Sequence, residues 1–339
     1  MLLKILDPPP LIQQVKDKWG KCFSAQDSKN LSLLLSETWG RPYRFEPYVD
    51  HMERLFHGTN VNVSQQGFRY IENQGPWPPV NNVINIFIFG GSTTFGYGVS
   101  DGHTIPSFLQ NILRDRLKKE VNVYNFGGGH FYSSQELILF ERLISKLDVP
   151  IHMAIFIDGL NDFGNPQDQS PASTELKQVL DGRLKYSAKL LISNIPLVQL
   201  FSYFSHPAKL LATVDESKTA QKILKRYQKN KQIIEGVASI SNTKTLFVWQ
   251  PVPWYPKYSE IIQSLMGDFK YTKLGYEMTY QAYLDGKFGL NFLWLADETT
   301  QSQCANYVDS IHYSPRMAQQ LAQRIANQIE PLLSDQSVK

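Results

Sequence analysis

Cysteine is almost missing from this chain: Cys22 and Cys304 are the two among 339 residues. Neither lies in a Cys-x-x-Cys pair or beside histidines at zinc spacing, which excludes a disulfide framework and a structural zinc and leaves two reduced, packed thiols as the expectation. Long apolar runs are missing as well. The start, Met1-Leu2-Leu3-Lys4-Ile5-Leu6-Asp7, meets Pro8-Pro9-Pro10 too early for a signal peptide. The longest apolar stretch elsewhere, Leu190 to Phe201, is about twelve residues broken by Ser193, Asn194 and Pro196, short of the ~20 that span a bilayer. The expectation is a cytoplasmic chain with no integral membrane segment. Charge of one sign is not in excess either, since the net charge is +3, and nothing in it argues for nucleic acid as a partner. Internal repeats and low-complexity tracts are absent. With 42% hydrophobic and 19% charged residues the chain is too apolar for disorder, and its length suits two domains or one α/β domain with extensions.

What is present is an α/β rhythm. Residues 1–80 read as an N-terminal extension, with an amphipathic stretch from Leu31 to Trp39 and a punctuated run through Gly75-Pro76-Trp77-Pro78-Pro79. A main domain over 81–335 opens with Val83-Ile84-Asn85-Ile86-Phe87-Ile88-Phe89, a nearly continuous apolar run suited to a strand covered on both faces. Leu109, Ile112, Leu113 and Leu117 then fall at helical spacing, Val121 to Asn125 reads as a strand, Leu137, Phe140, Ile144 and Leu147 mark a second helix, and Ile151 to Ile157 a third strand. This βαβαβ order predicts a doubly wound parallel sheet.

Between residues 163 and 241 the strand rhythm stops, and a helical cap insertion is expected, apolar from Leu190 to Leu211. Its basic run, Lys222, Lys225, Arg226, Lys229 and Lys231, reads as one solvated helix face, with a dock for an anionic group as the alternative. Thr245 to Trp249 resumes the sheet. Ser314-Pro315 is a helix start, followed by a stripe of Met317, Leu321, Ile325 and Ile329.

Ligands of open α/β sheets bind beyond the carboxyl ends of the strands, so those ends carry the functional reading. The first strand ends in Gly90-Gly91-Ser92-Thr93-Thr94-Phe95-Gly96, which exposes a serine hydroxyl on a tight turn. The third ends in Asp158-Gly159-Leu160-Asn161-Asp162, with a side-chain amide, and Asp309-Ser310-Ile311-His312 precedes the last helix. A serine becomes a nucleophile when a histidine takes its proton, and the histidine needs a carboxylate to hold its tautomer. Asp309 and His312, three residues apart, make such a pair for Ser92. Asn161 and the Ser92 backbone N–H then suit an oxyanion. Each piece alone is as well explained by ordinary turns and caps; the four in one order are not.

Other readings are weaker. Gly-x-Ser-x-Gly is not met, because position 94 is threonine. His51, His57, His103, His152 and His206 show no His-Glu-x-x-His spacing and read as surface or packing residues. Asp158 and Asp162 read as capping groups rather than a glycosidase pair. Trp254, Tyr255, Phe292 and Trp294 suit a core or an acyl or sugar pocket equally well.

Over residues 81 to 332 the chain resembles the SGNH, or GDSL, hydrolase superfamily, in its Gly-Gly-Ser-Thr-Thr form. Gly90 to Gly96 is similar to that family's first block, Gly159-Leu160-Asn161-Asp162 to the third and Asp309-Ser310-Ile311-His312 to the last; Gln250-Pro251-Val252-Pro253 is also similar to members. Gly91 stands where the Gly-Asp-Ser form has aspartate. In the second block, Asn125 to Ser134, counting from Asn125 puts His130 at the oxyanion glycine's position, with Gly128 or Gly129 taking the role after a shift. The resemblance implies a flavodoxin-like three-layer α/β/α sandwich and, without metal or cofactor, hydrolysis of acyl esters or thioesters by Ser92, His312 and Asp309. The implied oxyanion hole is drawn from Ser92, Gly129, His130 and Asn161. A small-molecule or carbohydrate-linked acyl ester is the expected substrate. The alternative is a non-catalytic or acyltransferase component of polysaccharide modification.

Overall fold

Each strand of the apolar core sends one chemistry to each side of a sheet. The computed structural model describes residues 31–169, 173, 215–255, 271–298 and 306–334. Both cysteines, the triple proline, the apolar stretch from Leu190 to Leu211 and His206 lie outside these. Five strands, β5 (Ile84–Gly90), β6 (Val121–Gly127), β7 (Met153–Asp158), β8 (Lys244–Trp249) and β9 (Phe292–Trp294), form one parallel sheet in the order β6-β5-β7-β8-β9. Counted within the sheet this is 2-1-3-4-5, the flavodoxin-like order, with its switch point between β5 and β7. The expected three-layer α/β/α sandwich is the architecture. β9, three residues long, was not legible in the sequence; it has too few residues for a period to show.

Because side chains alternate across a strand, Ile84, Ile86 and Ile88 face one layer while Phe87 and Phe89 face the other. The aliphatic side packs on α3 (Ile105–Leu117) and α8 (Pro315–Ser334), through Ile105, Leu109, Leu113, Met317, Leu321, Ile325 and Ile329. Thr104 caps α3 by accepting from Ser107 N–H, and Ser314 Oγ accepts from Met317 N–H to start α8. The opposite side is aromatic. Phe126, Phe89, Phe156 and Phe247 are register partners on four neighbouring strands, and their rings stack at 5.6, 4.9 and 5.2 Å.

That aromatic layer is covered by α4 (Ser133–Ile144), α6 (Glu216–Ile240) and α7 (Thr272–Leu284). The helix α6, expected within the cap insertion, therefore belongs to the flanking layer: Ala220, Ile223, Leu224, Tyr227, Ile234 and Ala238 recur at helical spacing and are buried against it. Its basic run divides. Lys222, Lys225 and Lys229 are exposed, whereas Arg226 donates to the Asp162 and Asn165 carbonyls and buried Lys231 pairs with Glu235. In α4 the buried residues include Glu136, Leu139, Phe140 and Leu143; of the expected stripe Phe140 is among them, and Leu137, Ile144 and Leu147 pack half-buried against the same core.

Residues 31 to 71 do not trail away from the sheet. The helix α1 (Leu31–Trp39) and the hairpin β1 (Tyr43–Glu46) with β2 (Asp50–Glu53) reach its carboxyl edge through Trp39 on His312 and through His51 and Glu53 on Gly129, while β3 (Phe56–His57) with β4 (Asn62–Val63) is joined through Arg69 to Asn125 of β6. Arg69, fully buried, donates to the carbonyls of Phe95, Gly96 and Val99 and pairs with Asp101 at 2.8 Å. Such buried charge is tolerated because every bond is charge-assisted.

Behind the third strand's end, Glu136, Asp158 and Asp162 are buried together, and both Glu136 carboxyl oxygens and Asp158 Oδ1 have no hydrogen-bond partner among the described residues. Burial pushes the Glu136 and Asp158 carboxyls well above the usual range, and their neighbours' negative charge adds to it. Carboxyls raised on folding contribute stability that is complete below the ordinary carboxylate range and is lost as pH rises through the raised values. Glu136→Gln is therefore expected to gain stability over wild type as pH rises from 4 to 8, read as the difference in thermal midpoint; equal slopes for both proteins would contradict this.

Candidate active site

At the switch point, β5 runs into α2 (Ser92–Phe95), a single helical turn. The N–H groups of Thr94 and Phe95 return to Gly91 O, at 3.1 and 3.0 Å, and the turn closes at Gly96, whose φ of 93° is in the left-handed region. Ser92, the first residue of the turn, has no intrahelical partner for its N–H. Its side chain is half-buried. Thr93 Oγ1 donates to Gln250 Oε1 at 3.0 Å, so the segment after β8 fastens the serine turn.

The loop before α8 is a tight hairpin. Val308 N–H donates to His312 O at 2.8 Å, Ser314 N–H to Asn306 O at 2.8 Å, and Tyr313 OH to Pro251 O at 2.7 Å. Asp309 Oδ1 accepts from the N–H groups of Ile311 and His312, both at 2.7 Å, and Oδ2 accepts from His312 Nδ1–H at 2.6 Å. Burial alone would raise the Asp309 carboxyl, but the His312 ring and these backbone donors outweigh it and hold it below the usual carboxylate range. His312 Nε2 lies 2.9 Å from Ser92 Oγ. The structure thus brings Ser92 to the Asp309 and His312 pair, which lies more than two hundred positions further along the chain.

Asn161, in α5 (Leu160–Gly164) just past β7, donates one amide hydrogen to Phe131 O at 2.7 Å, which leaves the other for a ligand. Its amide presses on the Gly91 backbone: a Cβ at position 91 would collide with Asn161 Nδ2. A side chain at position 91 would therefore require the Asn161 amide to move. Asn165 and Arg226 brace the loop through Asn161 O and the Asp162 and Asn165 carbonyls.

Three residues after β6 were candidates for a backbone donor. Gly128 N–H is bonded to Gly90 O at 3.0 Å, and Gly129 N–H to Glu53 Oε1 at 3.3 Å. His130 N–H has no partner among the described residues.

Sequence reasoning overlooked the groups that surround His312 and this loop. Tyr97 stacks on the imidazole at 5.3 Å and Trp39 meets it edge-on at 5.6 Å. Tyr97 OH lies 2.8 Å from Tyr43 OH and donates to Glu53 Oε1 at 3.4 Å, and Glu53 Oε2 accepts from Arg41 at 3.1 Å. His51, read as a packing or surface histidine, is buried, and its Nε2 is 2.8 Å from Gly129 O. Tyr97 carried a signal, since it follows the serine block by one residue. The others sit in α1, in the β1–β2 hairpin or between them, with no sequence spacing to any block.

Among the described residues no group of three or more His, Cys, Asp or Glu is placed to hold a metal ion, and no helix is long and apolar enough to cross a membrane. The arrangement is a chain of hydrogen bonds from serine through histidine to aspartate at the switch point of a flavodoxin-like sheet, beside a side-chain amide with one hydrogen to spare and backbone N–H groups that have no partner among the described residues.

No protein-family model and no curated protein matches the chain. Solved structures that are similar to it include the lipase/acylhydrolase from Enterococcus faecalis, with 14% identity over 74% of this chain and 97% of that one and a TM-score of 0.42. A carbohydrate acetylesterase, Est24, from Sinorhizobium meliloti is 15% identical over 74% and 99%, with a TM-score of 0.41. A member of the lipolytic G-D-S-L family from Veillonella parvula is 13% identical over 73% and 98%, with a TM-score of 0.38. At such identities and scores they add nothing to what strand order and side-chain geometry establish.

Proposed function

We propose that the protein is a serine hydrolase of carboxylic esters, of the SGNH type that its sequence blocks resemble. The observation that carries the reading is the unbroken relay from Ser92 Oγ through His312 to Asp309, at 2.9 and 2.6 Å. Ser92 Oγ attacks the ester carbonyl carbon while its proton passes to His312 Nε2. The C–O bond to the alcohol then breaks, and the alcohol leaves with that proton. Water, deprotonated by the same imidazole, attacks the acyl-serine, releasing the acid and restoring Ser92. Asp309 keeps the ring's Nδ1 protonated and stabilises the imidazolium.

The tetrahedral oxyanion is held by the remaining Asn161 amide hydrogen and by the backbone N–H groups of Ser92 and His130. Of the second-block candidates, His130 is favoured because the N–H groups of Gly128 and Gly129 are already bonded. Donors in such a hole are worth most when fixed in advance, which the bracing of Asn161 provides. The test is labelling with a fluorophosphonate probe, followed by peptide mapping and a panel of acetyl, butyryl and long-chain esters, acetylated sugars and thioesters. Labelling at Ser92 alone, with acid released from the ester arms, is expected. No labelled serine, or turnover in none of the arms, would sink the reading, and product analysis with added alcohol separates hydrolysis from acyl transfer.

A further inference from the structure

The peptide unit that carries the His130 N–H is gripped from outside the hydrolase blocks. Phe131 N–H donates to Gly128 O at 3.2 Å, closing a four-residue turn over Gly128 to Phe131. Within it His130 has φ 63°, while Gly129 lies outside the left-handed region. That is the pattern of a type II turn, whose third position ordinarily belongs to glycine or asparagine. A histidine there carries a steric cost from its Cβ. The cost disappears if the central peptide, Gly129 to His130, rotates by about half a turn to give type I, where both central residues are at negative φ. The rotation would also reverse the His130 N–H, because in a planar trans peptide it points opposite to the Gly129 carbonyl.

His51 opposes that rotation. Its Nε2 lies 2.8 Å from Gly129 O, and a carbonyl oxygen only accepts, so Nε2 carries the proton and donates. The ring is itself fixed, edge-on to Phe131 at 5.3 Å and tilted on Tyr43 at 4.8 Å. On the other side of Gly129, Glu53 Oε1 accepts the N–H at 3.3 Å while Arg41 holds Oε2. One hairpin of the N-terminal segment thus binds both polar groups of Gly129.

We propose that His51 is a positioning residue of the oxyanion hole, holding the Gly129–His130 peptide in the rotated form that turns the His130 N–H toward the oxyanion. The inference rests on the ester hydrolase reading above. It also gives the N-terminal segment a role: without it the hole would lose one donor while the serine relay stayed intact.

The experiment measures kcat and KM for p-nitrophenyl acetate in the full chain. His51→Phe and His51→Met remove the donor while filling the space, and His51→Gln keeps an N–H; each is made with His130 and with His130→Gly. Losing an oxyanion donor outright costs about 10²- to 10³-fold, so misorienting one is expected to lower kcat about tenfold or more in His51→Phe and His51→Met, with KM within about twofold. His51→Gln should stay within about threefold of wild type. In the His130→Gly background the His51→Phe loss should shrink to under about threefold, because glycine accepts the left-handed position without help. An undiminished loss in that background, a change confined to KM, or a His51→Gln loss as large as that of His51→Phe would overturn the inference. So would failure of both donorless variants to fold by circular dichroism, which would make His51 a structural residue. If wild type hydrolyses the ester through Ser92 and the His51 variants match it, the inference alone fails. If wild type has no Ser92-dependent turnover, both it and the hydrolase reading fail.

Discussion

Replacing Ser92 by alanine is expected to abolish ester turnover, by at least about 10⁴-fold, while the thermal midpoint moves little. The large loss follows from the relay: without Oγ there is no bond to the acyl carbon, and the imidazole has no proton to take. The small structural effect follows from position. Ser92 is half-buried at the first residue of a one-turn helix, where its side chain accepts no capping bond and the glycines on either side of the turn set the backbone. Steady-state rates on the ester panel and circular dichroism of both proteins check the two halves. Alanine at 92 with wild-type rates would remove the serine from the mechanism.

Replacing His312 by alanine is expected to cost at least several orders of magnitude in kcat, with Asp309→Asn the milder lesion. His312 exchanges protons with both the serine and the leaving alcohol, so nothing in its place does the work. Asparagine at 309 can still accept from the Ile311 and His312 N–H groups, which preserves the hairpin, but it cannot neutralise the imidazolium and presents a mixed donor and acceptor to Nδ1. Stability also responds to Asp309. A carboxyl lowered on folding contributes stability that is present above the ordinary carboxylate range and is lost as pH falls through the lowered value, and Asp309→Asn should remove that contribution. Rates within a few-fold of wild type for both variants would mean that another base serves Ser92.

The same contrast in local and distant information governs how much was legible in advance. Strands β5, β6, β7 and β8 were readable because each is a largely apolar run bounded by turn residues, and a sheet covered on both faces demands that composition. α8 was readable because its cap and stripe are local. α6 was placed in an insertion because the stretch before it breaks the β/α rhythm, although its own apolar spacing already matched a flanking helix. The position of Ser92, Asn161, Asp309 and His312 at strand ends and one late loop could be inferred from order along the chain, since parallel strands joined by helices bring their carboxyl ends to one edge.

By itself the sequence determined the sheet's composition, its parallel order and the residues able to form a relay, because periodicity, turn chemistry and block order are properties of neighbours in the chain. Only the tertiary structure decided that Glu53 and His51 grip Gly129, that Tyr97 and Trp39 enclose His312, and that Asn161 occupies the space beside Gly91. Those contacts join segments 70 to 273 positions apart (Gly91 to Asn161, Trp39 to His312 and the rest), and no spacing rule links a hairpin to a turn it meets only in three dimensions. Their existence depends on where α1, β1 and β2 settle over the sheet's edge, which is set by the packing of whole elements and by partners such as Arg41 that no local pattern announces.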